Sequence, residues 1–109
     1  MIQTALNALV EPRRREILKL IHGHELTSSA IAAHFDISAS AVSQHLKVLA
    51  ESGLVTVRRE RSWRYYRLRK EGLADVKAFI DQFWDDALLL LKEAAEEEER
   101  RRQSDTTLT

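Results

Sequence analysis

The chain has 109 residues, of which 44% are hydrophobic and 31% are charged, and it contains no cysteine. This length fits one small domain with a limited core, and the lack of cysteine excludes disulfides, thiolate metal sites and cysteine nucleophiles. No apolar run approaches the roughly 18 residues of a membrane span, and the first residues lack the basic-then-apolar order of a signal peptide, so we expect a cytoplasmic protein.

The formal net charge is zero, but the charges are sorted along the chain. Residues 1–72 contain 12 Lys and Arg against 7 Asp and Glu, whereas residues 73–109 contain 5 against 10. From Ser38 to Lys70, eight basic residues are opposed by Glu51 and Glu60 alone. A local basic excess of this kind is typical of a surface that binds a polyanion.

Two short amphipathic helices are predicted first. One covers Ile2–Leu9, and Pro12 suits the first turn of a second helix whose pattern stops at Gly23. Arg13–Arg15 lie at the start of that second helix, where basic residues oppose the helix macrodipole. Either they serve another purpose, such as contact with a phosphate backbone or an acidic partner helix, or they are tolerated in a solvated turn.

A helix-turn-helix pattern follows. A third helix begins at Thr27, and Asp36–Ile37 forms a short turn. Ser38 is a good N-cap for the next helix, and Gly53 suits the left-handed residue that ends it. A short helix, a tight turn and a capped second helix make up this motif.

The two faces of the second helix of this motif differ in character. Val42, Leu46 and Leu49 recur at helical spacing, which predicts an inward face. The opposite face carries hydroxyl, amide and amino groups and few carboxylates: Ser40, Ser43, Gln44 and Lys47. Such a face suits contact with phosphates and base edges better than plain solvation, which usually mixes Glu with Lys.

After Gly53 the pattern alternates, as it does in β-strands. Leu54–Glu60 and Trp63–Arg69 are predicted to form a hairpin. Arg61-Ser62 is not a favoured two-residue turn, so we expect a slightly longer loop. The hairpin tip carries arginines that are placed to reach phosphates or a narrow minor groove, namely Arg58, Arg59, Arg61 and Arg64.

From Gly72 a helical pattern returns with an apolar face too wide for one small domain to cover. We therefore expect a homodimer built by the first and last helices.

The chain is predicted to have two parts. Residues 1–95 form the predicted DNA-binding and dimerisation domain; residues 96–109 form a charged helix extension, with a disordered tail from Ser104 to Thr109. The expected interface residues are Ile2, Leu6, Leu9, Phe79, Phe83, Trp84, Ala87, Leu88 and Leu91.

Two segments, SQHLKVLAESGLV from Ser43 to Val55 and RRERSWRYYRL from Arg58 to Leu68, resemble the ArsR-type winged-helix repressors, small dimeric bacterial transcription factors. The resemblance runs from about Leu6 to Leu91. It implies a mainly α winged helix-turn-helix with a small β-hairpin, dimerised through its first and last helices. It also implies a Ser38–Ser52 helix in the major groove, a wing beside it, and repression of the protein's own or neighbouring operons.

The chain departs from that family where metals are often bound. Many members bind metal through a Glu-Leu-Cys-x-Cys segment, which here is Glu25–Ser29 with Thr27 and Ser29 in the cysteine positions. Hydroxyls are poor ligands for soft metals. Other members use carboxylates and histidines on the last helix, which here has no histidine. We therefore predict no metal and no cofactor. Ser62 replaces a common wing-tip glycine.

Histidines and aromatic residues leave alternatives open. His22 suits a helix C-terminus, and a metal site formed with His24 and Glu25 has weak support. His45 either faces the phosphate backbone or packs at the edge of the core. Trp63, Tyr65 and Tyr66 either hold the wing against the helices, which we favour, or stack on bases. The cluster of Phe79, Phe83 and Trp84 forms dimer core or lines an effector pocket.

These patterns together predict a homodimeric, sequence-specific regulator that binds double-stranded DNA at an inverted-repeat operator and represses transcription, with an unknown effector. The alternative is a protein-interaction module that uses the acidic last helix. Enzymatic activity is not expected, because the sequence offers no nucleophile with a nearby base and no phosphate-binding loop. The residues expected to contact DNA are Ser38, Ser40, Ser43, Gln44, His45, Lys47, Arg59, Arg61, Ser62 and Arg64.

Overall fold

The computed structural model describes the backbone of residues 2–108 and the side chains of residues 2–104. Its elements are α1 (Ile2–Val10), α2 (Pro12–Leu20), β1 (Leu26–Thr27), α3 (Ser28–Ala32), α4 (Ala39–Glu51), β2 (Val55–Glu60), β3 (Trp63–Leu68) and α5 (Lys70–Leu108). The chain divides into two compact units, residues 1–76 and residues 77–109. None of the helices in the described part combines the length and apolarity that a membrane span requires.

The core of the first unit is formed by α1 to α4, the sheet and the start of α5. The inward positions predicted for α4, Val42, Leu46 and Leu49, are all buried, as are Ile17 and Ile21 in and just after α2. Helix α4 packs on α1, α2, α3 and β2, so it is held on one side by the core. The prediction that one face of α4 packs against the core is confirmed.

Capping fixes both ends of α4 where the sequence predicts them. The Oγ atom of Ser38 accepts a hydrogen bond from the backbone N–H of Ala41 at 3.0 Å. Gly53 has a φ of +78°, the left-handed conformation that ends a helix. A methyl group on Gly72 would lie 2.0 Å from the carbonyl oxygen of Gly53, so the start of α5 packs directly against the end of α4.

The sheet has three antiparallel strands in the order β1-β3-β2, rather than the hairpin alone that the sequence predicts. Strand β1 pairs Leu26 with Tyr66 and Thr27 with Tyr65. This correction has a simple cause, since two residues are too few to produce a recognisable alternation of polar and apolar side chains.

The hairpin turn is also tighter than predicted. Glu60 pairs with Trp63, so Arg61 and Ser62 alone form the loop, and the expectation of a longer loop is wrong. Arg61 adopts a φ of +57°, which is usual for glycine and uncommon for a residue with a side chain. The tight turn places Arg61 at the extreme tip of the wing.

Two of the three arginines that open α2, Arg14 and Arg15, have a role that neither predicted alternative includes. The Nη1 atom of Arg15 donates to the carbonyl oxygens of Leu9 at 2.6 Å and Val10 at 3.1 Å. Arg14 donates to the carbonyl oxygen of Ala8 at 3.4 Å. These carbonyls end α1, where a cation complements the negative end of the helix dipole. Both arginines therefore stabilise the end of α1.

In the second unit, the continuation of α5 carries large apolar side chains that remain exposed. Phe83 and Trp84 are 62% and 59% exposed, and their rings meet edge to face with centroids 6.1 Å apart. Lys77 and Asp81 form an ion pair at 2.6 Å. The backbone of α5 is helical as far as Leu108, which does not support the predicted disordered tail from Ser104 to Thr109. The domain boundary at residue 95 stays a prediction.

Candidate nucleic-acid interface

The outward face of α4 presents free polar groups. Ser40, Ser43, Gln44 and Lys47 are all exposed, on the side of the helix opposite Val42, Leu46 and Leu49. None of the four side chains makes a hydrogen bond or ion pair with another described residue. Their donors and acceptors are therefore available to an external partner.

Two other candidate residues of this helix are already engaged within the chain. The Oγ atom of Ser38 caps α4, which leaves its hydroxyl hydrogen as the group available for an external contact. His45 is partly buried, and its Nδ1 atom accepts a hydrogen bond from Nε of Arg14 at 3.3 Å. This contact joins α4 to α2 and leaves the other ring nitrogen, Nε2, as the polar atom that can meet a partner.

Unpaired cations are concentrated at the tip of the wing. Arg59 and Arg64 are directly opposite each other in the β2–β3 register, so their side chains share one face of the hairpin. Like charges in this position are destabilising. Neither they nor Arg61 form an ion pair with any residue whose side chain is described. An anionic partner would relieve the repulsion between them.

The guanidinium of Arg58, in contrast, is bound by other side chains of the same molecule. It donates to the carboxylates of Glu25 and Glu60, and its guanidinium lies 4.4 Å above the centre of the Tyr65 ring. The hydrogen bond from Arg58 lowers the pKa of Glu25, and the same bond raises the pKa of Arg58. The prediction that Arg58 reaches phosphates with the other wing arginines is therefore not supported by its contacts.

The helix and the wing are held by one framework. The N–H of Leu54 donates to the carbonyl oxygen of Leu49 at 3.0 Å, and the N–H of Arg69 donates to the carbonyl oxygen of Leu54 at 2.9 Å. Leu49, Leu54 and Val55 are buried in the same core. Rigid elements position a recognition surface more accurately than loops do.

The histidines near β1 do not gather into a metal site. His22 and His24 are exposed, and both carboxylate oxygens of Glu25 accept hydrogen bonds from Arg58. No group of three metal-ligating side chains comes together within the described residues.

The residues expected at a dimer interface fall into two groups. Phe79, Phe83 and Trp84 are exposed on α5, together with Leu88 and Leu91, while Ala87 is half-buried. On α1, Ala5 and Ala8 occupy the face buried in the core, and Leu6 and Leu9 pack against its edge. The two alanines are thus the fully buried members of α1, whereas Leu6 and Leu9 stay partly exposed, and their place at the interface remains a prediction. Ile2 remains 36% exposed.

A helix-turn-helix whose second helix is exposed on one face, followed by a β-hairpin, defines a winged helix-turn-helix protein. The family model described as "Bacterial regulatory protein, arsR family" matches residues 11–57, from α2 into β2. Together with the relatives described next, this match shows that the chain belongs to the ArsR family. The resemblance found in the sequence is confirmed.

The chain is 41% identical over 85 residues to the HTH-type transcriptional regulator Rv2034 of Mycobacterium tuberculosis, covering 77% of this chain and 78% of the relative. It is 34% identical over 74 residues to the transcriptional repressor SdpR of Bacillus subtilis, covering 68% and 82%. A solution structure of the homodimeric winged helix-turn-helix DNA-binding domain of Mb0332 from Mycobacterium bovis shares 32% identity, with a TM-score of 0.63 over 78% of this chain and 79% of that one. The chain is thus a transcriptional regulator with a winged helix-turn-helix fold.

Proposed function

We propose that the chain represses transcription by binding, as a homodimer, to an inverted-repeat operator in duplex DNA. The observation that carries this proposal is the pair of neighbouring surfaces with no internal partners, one on the outer face of α4 and one at the tip of the wing. Both surfaces offer hydrogen-bonding or cationic groups. Among the described residues, the exposed carboxylate on them that lacks an ion pair is that of Glu51, in the last turn of α4. Duplex DNA matches both requirements, because it presents base edges between two rows of phosphates.

The side chains suit different parts of the duplex. Gln44 can pair bidentately with an adenine in the major groove, and Ser40 or Ser43 can hydrogen-bond to neighbouring base edges. Lys47 neutralises phosphates from the same helix. The remaining candidates are expected to contact the DNA backbone: Ser38, His45, Arg59, Arg61, Ser62 and Arg64.

The wing has the charge that phosphate contact requires. Between Val55 and Leu68 it contains five arginines and one glutamate, and that glutamate is paired with Arg58. Arg59, Arg61 and Arg64 therefore act without a compensating carboxylate. A tip of this composition binds any duplex, because the attraction to phosphates does not depend on sequence.

Dimerisation accounts for the exposed apolar side chains of α5. Phe79, Phe83 and Trp84 would leave a large aromatic surface in water, which is a common mark of an interaction surface. A second copy covers this surface, assisted by Ile2, Leu6 and Leu9 of α1. The relative from Mycobacterium bovis is described as homodimeric. Two copies related by a two-fold axis read two half-sites roughly 34 Å apart.

Repression is the regulatory outcome that the relative SdpR supports, since that protein is named a transcriptional repressor. A dimer that covers two successive major grooves excludes other proteins from the same DNA. A role on chromosomal DNA also implies action in the cytoplasm.

Selection of bound fragments from genomic DNA tests this function, carried out with the full chain and repeated with and without added metals. We expect enrichment of an inverted repeat, and loss of enrichment when Gln44 and Lys47 are both replaced by alanine. Lys92→Ala serves as the control, because it removes one exposed lysine from α5 and should leave the enrichment intact. Recovery of no preferred sequence, together with no duplex binding at low salt, would overturn the proposal. Binding that needs α5 but survives loss of Lys47 and Arg61 would point to a protein-interaction module instead.

A further inference from the structure

The three aromatic residues of the wing are in different environments. Tyr66 is 6% exposed and belongs to the core, and the ring of Tyr65 is covered by Arg58. Trp63 is 50% exposed and belongs neither to the core nor to the residues packed against it. The favoured prediction that these aromatics hold the wing against the helices therefore fails for Trp63.

The surroundings of Trp63 are cationic. It is the first residue of β3, and its partner across the hairpin is Glu60, whose carboxylate is held by Arg58. The two-residue turn before it contains Arg61, and Arg64 follows on the opposite face of the strand. The indole is thus an apolar group at a tip whose nearest carboxylate is already neutralised.

Trp63 also differs from most of the other exposed large apolar side chains in the element that carries it. Most of those lie on α5, where a second copy of the chain is the expected partner. Trp63 lies instead at the far end of the hairpin, among side chains that attract an acidic polymer. The face of a duplex that is both close to phosphates and apolar is the row of deoxyribose rings along the minor groove.

We propose that Trp63 contacts duplex DNA, with its indole ring lying against deoxyribose rings at the wall of the minor groove beside the wing. This inference rests on the proposed DNA binding and adds a residue to it. The tip presents Arg59 and Arg64 on one face and Trp63 on the other. When the wing tip enters the groove, the arginines can therefore contact one DNA strand and the apolar ring can contact the other. The indole N–H is then free to donate a hydrogen bond to an oxygen of the DNA.

The two tryptophans of the chain provide a direct test. Trp84→Phe leaves Trp63 as the single tryptophan, and Trp63→Phe leaves Trp84 as a matched control. Each full-length variant is titrated with a dye-labelled mixed-sequence duplex at low salt. Anisotropy of the dye reports complex formation, while tryptophan emission and its quenching by acrylamide report the environment of the indole.

We expect the emission of Trp63 to change in step with the anisotropy, and its quenching by acrylamide to decrease in the complex. The emission of Trp84 should not follow the anisotropy. Trp63→Ala should weaken duplex binding roughly five- to tenfold, as is typical when an aromatic contact with nucleic acid is removed. Its thermal stability should match that of the wild type, because half of the side chain is exposed in the folded state.

The outcomes separate this inference from the proposed function. An anisotropy increase with no change in Trp63 emission, or unchanged affinity of the Trp63→Ala variant, would overturn the role of Trp63 and leave DNA binding intact. No anisotropy increase for the wild-type chain would overturn both.

Discussion

Arg58 joins Glu25, which precedes β1, to the wing by two hydrogen bonds. Its Nη2 atom donates to Oε1 of Glu25 at 2.7 Å, and its Nε atom donates to Oε2 at 3.4 Å. Strands β1 and β2 are the outer strands of the sheet, and the ring of Tyr65 on the central strand lies beneath the guanidinium. The contact therefore ties the two edges of the sheet together across β3. A bidentate pair fixes orientation as well as distance.

This pair predicts a particular dependence of stability on pH. The hydrogen bond from Arg58 lowers the pKa of Glu25 below its ordinary value of 4.5. A carboxyl group with a lowered folded-state pKa stabilises the fold above its unfolded-state pKa, and this contribution is lost as pH falls through the folded-state value. We expect Glu25→Gln to lower the Tm at neutral pH, with the difference from wild type shrinking as pH falls below about 4.5.

Thermal melts followed by circular dichroism across this pH range check the prediction. Glu93→Gln is the control, because Glu93 forms no ion pair with any described residue and its replacement should change the Tm little at any of these pH values. A difference between wild type and Glu25→Gln that stays constant into acid would contradict the assignment.

The close contact between Gly72 and Gly53 predicts that a side chain at position 72 destabilises the fold. A Cβ atom at this position would lie 2.0 Å from the carbonyl oxygen of Gly53, and backbone atoms cannot move aside as a flexible side chain can. We expect Gly72→Ala to destabilise the fold by about 3 kcal/mol or more, measured by urea denaturation. Gly23→Ala is the comparison, since a Cβ there meets nothing within 4 Å and only the φ of +82° opposes it. That change should cost about 1 kcal/mol.

Much of the recognition helix could be predicted because its signals are local. Ser38 caps the helix and Gly53 ends it, and both act through backbone groups within a few residues. The inward face repeats at helical spacing over thirteen residues, from Ala39 to Glu51. Such features depend little on the rest of the fold, and the structure agrees with all of them.

The features that could not be predicted depend on partners distant in sequence. Arg58 is paired with Glu25, which lies 33 residues earlier, so nothing near Arg58 distinguished it from Arg59 as a phosphate contact. Arg15 is explained only by the carbonyl groups that end α1. Strand β1 exists because β3 offers it an edge, and two residues carry no periodicity of their own.

Gln44 predicts a change in specificity. If its amide pairs with an adenine, Gln44→Ala should relax discrimination at particular base pairs by roughly 1 to 3 kcal/mol. Lys47→Ala, on the same face, should instead weaken binding to every sequence and reduce the salt dependence, because phosphates are alike. Affinities measured on a set of operator variants at several salt concentrations distinguish the two. Unchanged discrimination in the Gln44 variant would remove this residue from base recognition.

The exposed face of α5 predicts the assembly state. Leu91→Asp should convert the dimer to a monomer, measured as molar mass by light scattering, because a buried carboxylate is costly at an apolar interface. Leu89→Asp is a matched control on the same helix, since Leu89 is similarly exposed but lies about 200° around the helix from Ala87. Neither side chain belongs to the core, so circular dichroism should show both variants folded.

The assembly prediction extends to DNA binding. The Leu91 variant should lose affinity for a duplex with two half-sites far more than for one with a single half-site, because only the dimer engages both at once. Equal masses for the Leu89 and Leu91 variants would show that this face of α5 does not form the interface.

Replacing Arg61 should change the stability of the fold and its affinity for DNA in opposite directions. Its φ of +57° strains a residue that has a Cβ, whereas glycine adopts this conformation readily. Arg61→Gly should therefore raise the free energy of unfolding by up to about 1 kcal/mol, and relief of like-charge repulsion at the tip adds to this gain. The same change removes one cation from the wing, so duplex affinity should fall for all sequences and the slope of log K against log salt should decrease by about one. Urea denaturation and salt-dependent anisotropy measure the two effects on one protein. A variant that is more stable but binds duplex DNA as tightly as the wild type would show that Arg61 does not contact the phosphates.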